Sequence, residues 1–199
     1  MMIEYKLDKE TLIGGWFMPE NLCDDIIEYF NKNKHLQYKG FVGGGGDGKP
    51  RTNNVKVDEK DSIDVMIYKE DLSEPFNSYR ILLQECLDNY MKKYEDVNNN
   101  KRFNINEPYN IQYYKIGGGF KKWHFENAGR QDRLLAFMTY LNNIEDGGTD
   151  FKYQGFTTPA KKGLTLIWPA NWTHTHKGQI SKTKEKYIVT VWFNHINLL

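Results

Sequence analysis

The 199-residue chain carries 27 Lys and Arg against 26 Asp and Glu, so no net field favours nucleic acid or an anionic membrane surface as a partner. No apolar run reaches membrane-spanning length, and the start Met1-Met2-Ile3-Glu4-Tyr5-Lys6 lacks the apolar centre of a signal peptide, which points to a cytoplasmic protein. Only Cys23 and Cys86 are present, both in apolar helical patterns, which excludes a disulfide framework and points to a reducing compartment.

A chain of this length is expected to form one domain, 1–199. Aromatic residues make up 15% of it, 13 of them Tyr, which suits a β-rich fold around a large pocket. Residues 3–7 and 12–17 alternate weakly and read as short strands. Pro19 to Phe30 reads as a helix: Pro19 suits the first turn, acidic residues follow early, and Leu22, Ile26, Ile27 and Phe30 form one stripe. Gly43-Gly44-Gly45-Gly46-Asp47-Gly48-Lys49-Pro50 superficially matches a phosphate-binding loop, but Pro50 stands where a Ser or Thr is needed and no helix pattern follows. It reads as a loop, either solvated or a substrate lid. Leu72 to Tyr94 reads as a second helix begun at Pro75, with Tyr79, Leu82, Leu83, Cys86, Leu87 and Tyr90 at helical spacing. Asp96 to Lys101 reads as a polar linker.

From Phe103 onward the period changes to two. Ile111–Ile116, Leu134–Leu141, Gly163–Trp168 and Lys186–Phe193 are the clearest strands. Helices first and antiparallel strands second predict an α+β protein, mostly β, with the helices packed outside a β-sandwich. There is no internal repeat. Asn171-Trp172-Thr173 fits a glycosylation acceptor, read as chance in a protein without a secretion signal.

The chemistry gathers between Tyr114 and Trp192. His124 and Glu126 lie two apart, and on a strand such residues share a face, so both can address one ion. A second imidazole can come from His174 or His176, and strand parity does not separate these two. Two His and one carboxylate leave three positions open on an octahedral metal, the facial arrangement of non-haem Fe(II) oxygenases. Lys186 opens a strand whose Ile188, Thr190 and Trp192 share its face, and an inward lysine among apolar neighbours is costly unless an anion meets it. A solvated charge run with Lys182, Lys184 and Glu185 is the competing reading. His35 and His195 have no such context and read as surface residues.

Tyr114 to Glu126 resembles a family segment with a Tyr, a Gly turn and then His-x-Asp. Tyr140 to Phe151 resembles that family's tyrosine-leucine-asparagine strand with its Gly-Gly turn. Pro159 to Gly163 resembles its proline-x-x-glycine turn, and His176 and Lys186, ten apart, match its distal His and cofactor-anchoring base. The family is the Fe(II)/2-oxoglutarate-dependent dioxygenases, in the prolyl 4-hydroxylase-like branch, and the likeness covers the C-terminal half.

The resemblance implies a double-stranded β-helix, or jelly-roll, over 103–199, with 1–102 as a supporting region of helices and strands. It implies Fe(II) on His124, Glu126 and His176, with His174 beside the site or facing solvent. It further implies 2-oxoglutarate anchored by Lys186, with Tyr114 and Thr190 in the same pocket, O2 as oxidant and ascorbate as an optional reductant. The activity it implies is hydroxylation of an unactivated C–H in a prolyl residue of a peptide or protein, with a free amino acid or other small molecule as the alternative. Glu126 departs from the usual Asp by one methylene but keeps charge and donor type. A small residue there would suit halogenation, so a carboxylate argues for hydroxylation. Trp123 and Trp172 flank the ligand positions as candidate walls of the substrate mouth, and Asn127, Arg130 and Arg133 as candidate substrate contacts. A metal-binding jelly-roll without turnover is the rival from another class; a metal hydrolase is disfavoured because no base–nucleophile pair accompanies the ligands.

Overall fold

Two strands from the C-terminal half set the frame: β9 (Arg133–Tyr140) and β14 (Lys186–His195), paired antiparallel over most of their length. Their alternation divides the molecule. Leu135, Phe137, Val189, Val191 and Phe193 point to one face and join the cluster that includes both helices. Ala136, Met138, Tyr140 and Ile188 point to the other and join a second apolar cluster. The computed structural model describes residues 2–7, 10–42, 55–129 and 132–196, so the glycine-rich stretch 43–50 and Arg130 lie outside the described residues.

On either side of this pair the sheet continues through strands of both halves. Among the described residues it has nine strands, in the order β1 (Ile3–Glu4), β2 (Gly14–Phe17), β12 (Leu164–Pro169), β9, β14, β7 (Tyr109–Tyr114), β5 (Ile63–Ile67) and β3 (Tyr38–Lys39), with β6 (Phe103–Asn104) on the end of β14. A smaller sheet, β11 (Phe156–Ala160), β10 (Ile144–Phe151) and β13 (His176–Gly178), lies apart from it. A ribbon of β4 (Lys60–Asp61) and β8 (Gly119–Phe120) completes the set. All the pairings are antiparallel, as a jelly-roll requires.

The helices cover the outer face. In α1 (Glu20–Lys32), Leu22, Cys23, Ile26 and Phe30 are buried, and Pro19 sits at the N-cap rather than inside the first turn. In α2 (Phe76–Lys93), Phe76, Tyr79, Leu83, Cys86, Leu87 and Tyr90 are buried. Burying a Leu, Ile or Phe contributes about 1.5–3 kcal/mol relative to exposure, so this face holds the helices without help from their weak caps. Both thiols are free and buried, and desolvation pushes each up to about 12.

Several expected boundaries move. The strand expected over 3–7 shortens to β1, and that over 12–17 to β2. The second helix begins at Phe76, not Leu72, because Asp71 accepts hydrogen bonds from the amide and hydroxyl of Ser73 and holds a turn there, leaving Leu72 exposed. Asp96–Lys101 is no plain linker: Glu95–Asn99 forms a 3-10 turn, with the Asn98 amide on carbonyls of Met91 and Glu95. The expected Gly-Gly turn is also absent. Gly147 and Gly148 lie inside β10, where the register shifts between Ile144 and Thr149. A Cβ on Gly148 would stand 2.0 Å from the Thr158 carbonyl, so glycine here serves the close approach of β11 to a bulged strand.

Candidate active site

Between the two sheets lies a cavity of about 470 Å³, walled by β7, β9, β12 and β14 on one side and by β10 and β13 on the other. His124 and His176 face each other across an isolated antiparallel bridge, with His124 N–H to His176 O at 3.0 Å and His176 N–H to His124 O at 2.9 Å. The chain then turns at Glu126, whose N–H donates to Ala170 O at 3.0 Å. Ligand atoms of His124, Glu126 and His176 all lie within 4.8 Å of one another. Glu126 Oε1 is 3.5 Å from His124 Nε2 and 3.2 Å from His176 Nε2.

The other nitrogens fix the rings. His124 Nδ1 is 3.0 Å from Lys122 O and His176 Nδ1 2.9 Å from His174 O, which leaves each Nε2 for the centre. Phe120 stacks on His124 at 3.8 Å, and Trp168 meets His176 edge-on at 5.1 Å. Burial pushes the Glu126 carboxyl up, but the two imidazoles beside it outweigh that and hold it well below the usual carboxylate range. Burial and the nearby His124 hold the His176 imidazole below its ordinary value.

His174 is not part of this group, nor does it face solvent. It is 2% exposed, in the 3-10 turn Trp172–His174, with Nε2 2.9 Å from the carbonyl of Thr11 and Nδ1 2.9 Å from the Thr173 hydroxyl. Strand parity failed to separate the two His because the first of them is not on a strand.

Lys186 is 4% exposed at the far wall. Its ammonium donates to Gln179 O at 2.8 Å and Gly147 O at 3.2 Å, lies 5.4 Å from the centre of the Tyr114 ring, and forms no ion pair among the described residues. The irregular stretch of β10 is what turns the Gly147 carbonyl onto it. Desolvation pulls this ammonium down to about 8, against the attraction of Asp146 and Asp150. Tyr114 lies opposite Lys186 in the sheet, but its hydroxyl donates to Gln112 Oε1. The Thr190 hydroxyl donates to Phe137 O at 2.9 Å. Both residues line the cavity.

The remaining candidates separate. Trp123 and Trp172 are 44% and 61% exposed and do not line the cavity. His35 is exposed and His195 half-buried. The backbone N–H of Asn127 donates to Ala170 O at 3.0 Å. Arg133 lines the cavity with its guanidinium already engaged. It makes a two-pronged pair with Glu107 at 2.8 and 2.6 Å, donates to Glu126 O at 2.9 Å, and lies 3.3 Å from the Trp192 ring centre. Trp192 in turn donates its indole N–H to Glu126 Oε2 at 2.7 Å. The sequence reading gave neither Trp192 nor Glu107 a role. Period two from Lys186 was the available signal for Trp192; Glu107 has none, because its partner is brought by the fold.

Residues 109–194 match the family described as the 2OG-Fe(II) oxygenase superfamily. That segment of the chain is similar to the members of that superfamily. The chain is a 2-oxoglutarate-dependent dioxygenase, whose cofactors are Fe(II), 2-oxoglutarate and O2. Solved structures agree in fold. A viral collagen prolyl hydroxylase from Paramecium Bursaria Chlorella virus-1 is 18% identical, with a TM-score of 0.64 over 95% of this chain and 98% of its own. A Pseudomonas putida prolyl-4-hydroxylase is 12% identical, with a TM-score of 0.66 over 93% of each chain. A Trichoplax adhaerens prolyl hydroxylase, solved with a hypoxia inducible factor oxygen degradation domain peptide fragment, is 13% identical, with a TM-score of 0.69 over 92% of this chain and 84% of its own. No curated protein sequence matches the chain. The oxygenase has, among its described residues, no helix long and apolar enough to cross a membrane.

Proposed function

We propose that this oxygenase hydroxylates an unactivated C–H of a prolyl residue in a peptide or protein, with Fe(II) on His124, Glu126 and His176 and the distal carboxylate of 2-oxoglutarate on Lys186. One observation carries the reading: a buried ammonium with no counter-ion among the described residues shares a cavity with three converging ligand atoms. A buried ammonium favours an anion beside it, and converging imidazole and carboxylate atoms favour a cation between them. The donor set fits Fe(II), being two imidazoles and one carboxylate with room for exogenous oxygen ligands. The peptide held by the Trichoplax enzyme of the same fold supports a peptidyl substrate.

Bound Fe(II), with 2-oxoglutarate and O2, supplies the oxidising power that converts C–H to C–OH while 2-oxoglutarate leaves as succinate and CO2. The chain supplies geometry and dryness. Met138, Ile188 and Trp168 give the cavity an apolar wall. Tyr114 presents its ring beneath Lys186, and Thr190 fills the wall one turn of the pleat beyond Ile188. The same reading treats 1–199 as one domain, with 103–199 as the core and 1–102 as its support, and a cytoplasmic location suits the two free thiols.

Aerobic succinate formation from 2-oxoglutarate tests the proposal. Added Fe(II) should sustain it, and His124→Ala and Glu126→Ala should abolish it, whereas Glu126→Asp should retain a substantial fraction. Turnover by Glu126→Ala at the wild-type rate would sink the ligand assignment.

A further inference from the structure

The cavity holds a second buried cation that the oxygenase reading does not use. Lys60, on the β4–β8 ribbon, is 5% exposed, and Asp64, on β5, is 2% exposed. They pair at 2.6 Å, and both line the cavity. The partnership is lopsided. Asp64 Oδ2 takes Lys60 and Oδ1 takes the Ser62 hydroxyl at 2.7 Å, so the carboxylate is well served. The ammonium has three N–H groups, and among the described residues only one finds an acceptor. A buried donor left without a partner is costly, and a cavity-lining one calls for an acceptor brought by a ligand.

The cosubstrate is poorly placed to supply it. Asp64 lies opposite Gln112 on β7, and Lys186 opposite Tyr114 on the other edge of the same strand. Asp64, which holds Lys60, thus rises from a strand about 10 Å, two strand spacings, from that of Lys186, with the Tyr114–Gln112 hydrogen bond on the strand between. A five-carbon diacid with its far carboxylate on Lys186 has its other end committed to the metal ligands in the reading above. Yet Lys60 is close to the chemistry: it is the register partner of Phe120, whose ring stacks on His124. An acceptor on Lys60 thus lies toward the His124 end of the cavity.

Nothing in the packing lets the pair relax away. Gly40 crosses over it, its N–H on Ser62 O at 3.0 Å, and a Cβ there would stand 2.0 Å from the Ser62 hydroxyl and 3.0 Å from Lys60 Cε.

We infer that Lys60 is a specificity-determining residue that donates to a carboxylate or carbonyl oxygen of the primary substrate, so that the enzyme takes amino-acid-like substrates carrying such an oxygen. This rests on the oxygenase reading above and adds the substrate class. Asp64 holds the ammonium in place, and the substrate oxygen takes its free N–H.

The test compares wild type, the double variant Lys60→Met with Asp64→Asn, and Lys60→Arg. The double variant removes both charges together, so neither is left buried alone; Lys60→Arg keeps the ion pair but moves the donors. Two probes are used: L-proline, which offers a carboxylate, and N-acetyl-L-proline methylamide, which offers only carbonyls. Succinate formation is followed against each. At least one probe should stimulate the wild type, and which one does so names the source of the oxygen. For that probe the double variant should lose at least about tenfold in kcat/KM, and Lys60→Arg should lose a smaller factor, while KM for 2-oxoglutarate stays within about twofold in both. Unchanged kcat/KM for the probe overturns the inference. So does a loss expressed in KM for 2-oxoglutarate, which would make Lys60 a cosubstrate residue, and so does a wild type that forms succinate but ignores both probes. A wild type that forms no succinate at all fails earlier, at the oxygenase reading itself.

Discussion

Replacing Trp192 by Phe isolates one hydrogen bond at the heart of the site. The indole N–H donates to Glu126 Oε2 at 2.7 Å, while Oε1 faces both His Nε2 atoms at 3.5 and 3.2 Å. Under the proposed ligand set, the indole occupies one carboxylate oxygen and leaves the other for the metal, so that a Glu can do the work of the shorter Asp. Its extra methylene gives a longer side chain with one more torsion, and Trp192 fixes that torsion. Phe keeps a ring under the Arg133 guanidinium, now 3.3 Å from the ring centre, so the change is confined to the N–H. A hydrogen bond to a charged group contributes about 1.5–3 kcal/mol, which converts at about 1.4 kcal/mol per decade to a 10- to 100-fold loss of metal affinity. The assay is calorimetric titration of the metal-free protein with Co(II), a redox-silent probe under air-free conditions, with the visible Co(II) spectrum as a second readout. The Trp192→Phe protein should bind more weakly and show altered band shape or intensity, because Glu126 is free to become bidentate. Affinity within about twofold of wild type with an unchanged spectrum would refute the reasoning.

Lys186→Ala should raise KM for 2-oxoglutarate at least about tenfold while leaving Co(II) affinity unchanged. In the wild type, only the protonated ammonium attracts the carboxylate, and burial has brought it down to about 8. Cosubstrate KM should therefore be flat below that pH and climb by up to about tenfold per unit above it, and the climb should vanish in Lys186→Ala; a slope that survives in the variant places the titrating group elsewhere. The two neighbouring histidines should fail differently. His176→Ala should lose metal binding with little change in melting temperature of the metal-free protein. His174→Ala should bind metal but melt several degrees lower, since it strands the buried Thr11 carbonyl at about 1–3 kcal/mol. The reverse ranking would exchange their roles.

The parts of the fold written in local periodicity were legible. The apolar stripe of α1, the stripe of α2 from Tyr79 to Tyr90, and the alternation of β9 and β14 all come from residues whose partners are the core itself. What was missed depends on meetings between distant segments. Gly147-Gly148 reads locally as a turn, and only the approach of the Thr158 carbonyl shows why glycines stand inside a strand. His174 and His176 are alike in sequence context, and they differ because one lies in a 3-10 turn under Thr11 and the other on β13. Arg133 was read as a substrate contact because nothing local announces Glu107, its partner 26 residues away. The polar alternation Lys60, Ser62, Asp64 is a local signal for a one-faced charged wall.

The seam between the two halves bears on any attempt to make a minimal enzyme. The segment that resembles the oxygenases begins near Phe103, which invites cutting the chain there. Yet β2 and β5, both from before that point, close the flanks of β12 and β7 with continuous pairing. Removing them would bare two long, largely apolar strand edges, the kind of surface on which chains polymerise. It would also delete Thr11, leaving the turn that carries the chain into His176 without its tether. A fragment of residues 103–199 should therefore aggregate rather than work as a smaller catalyst.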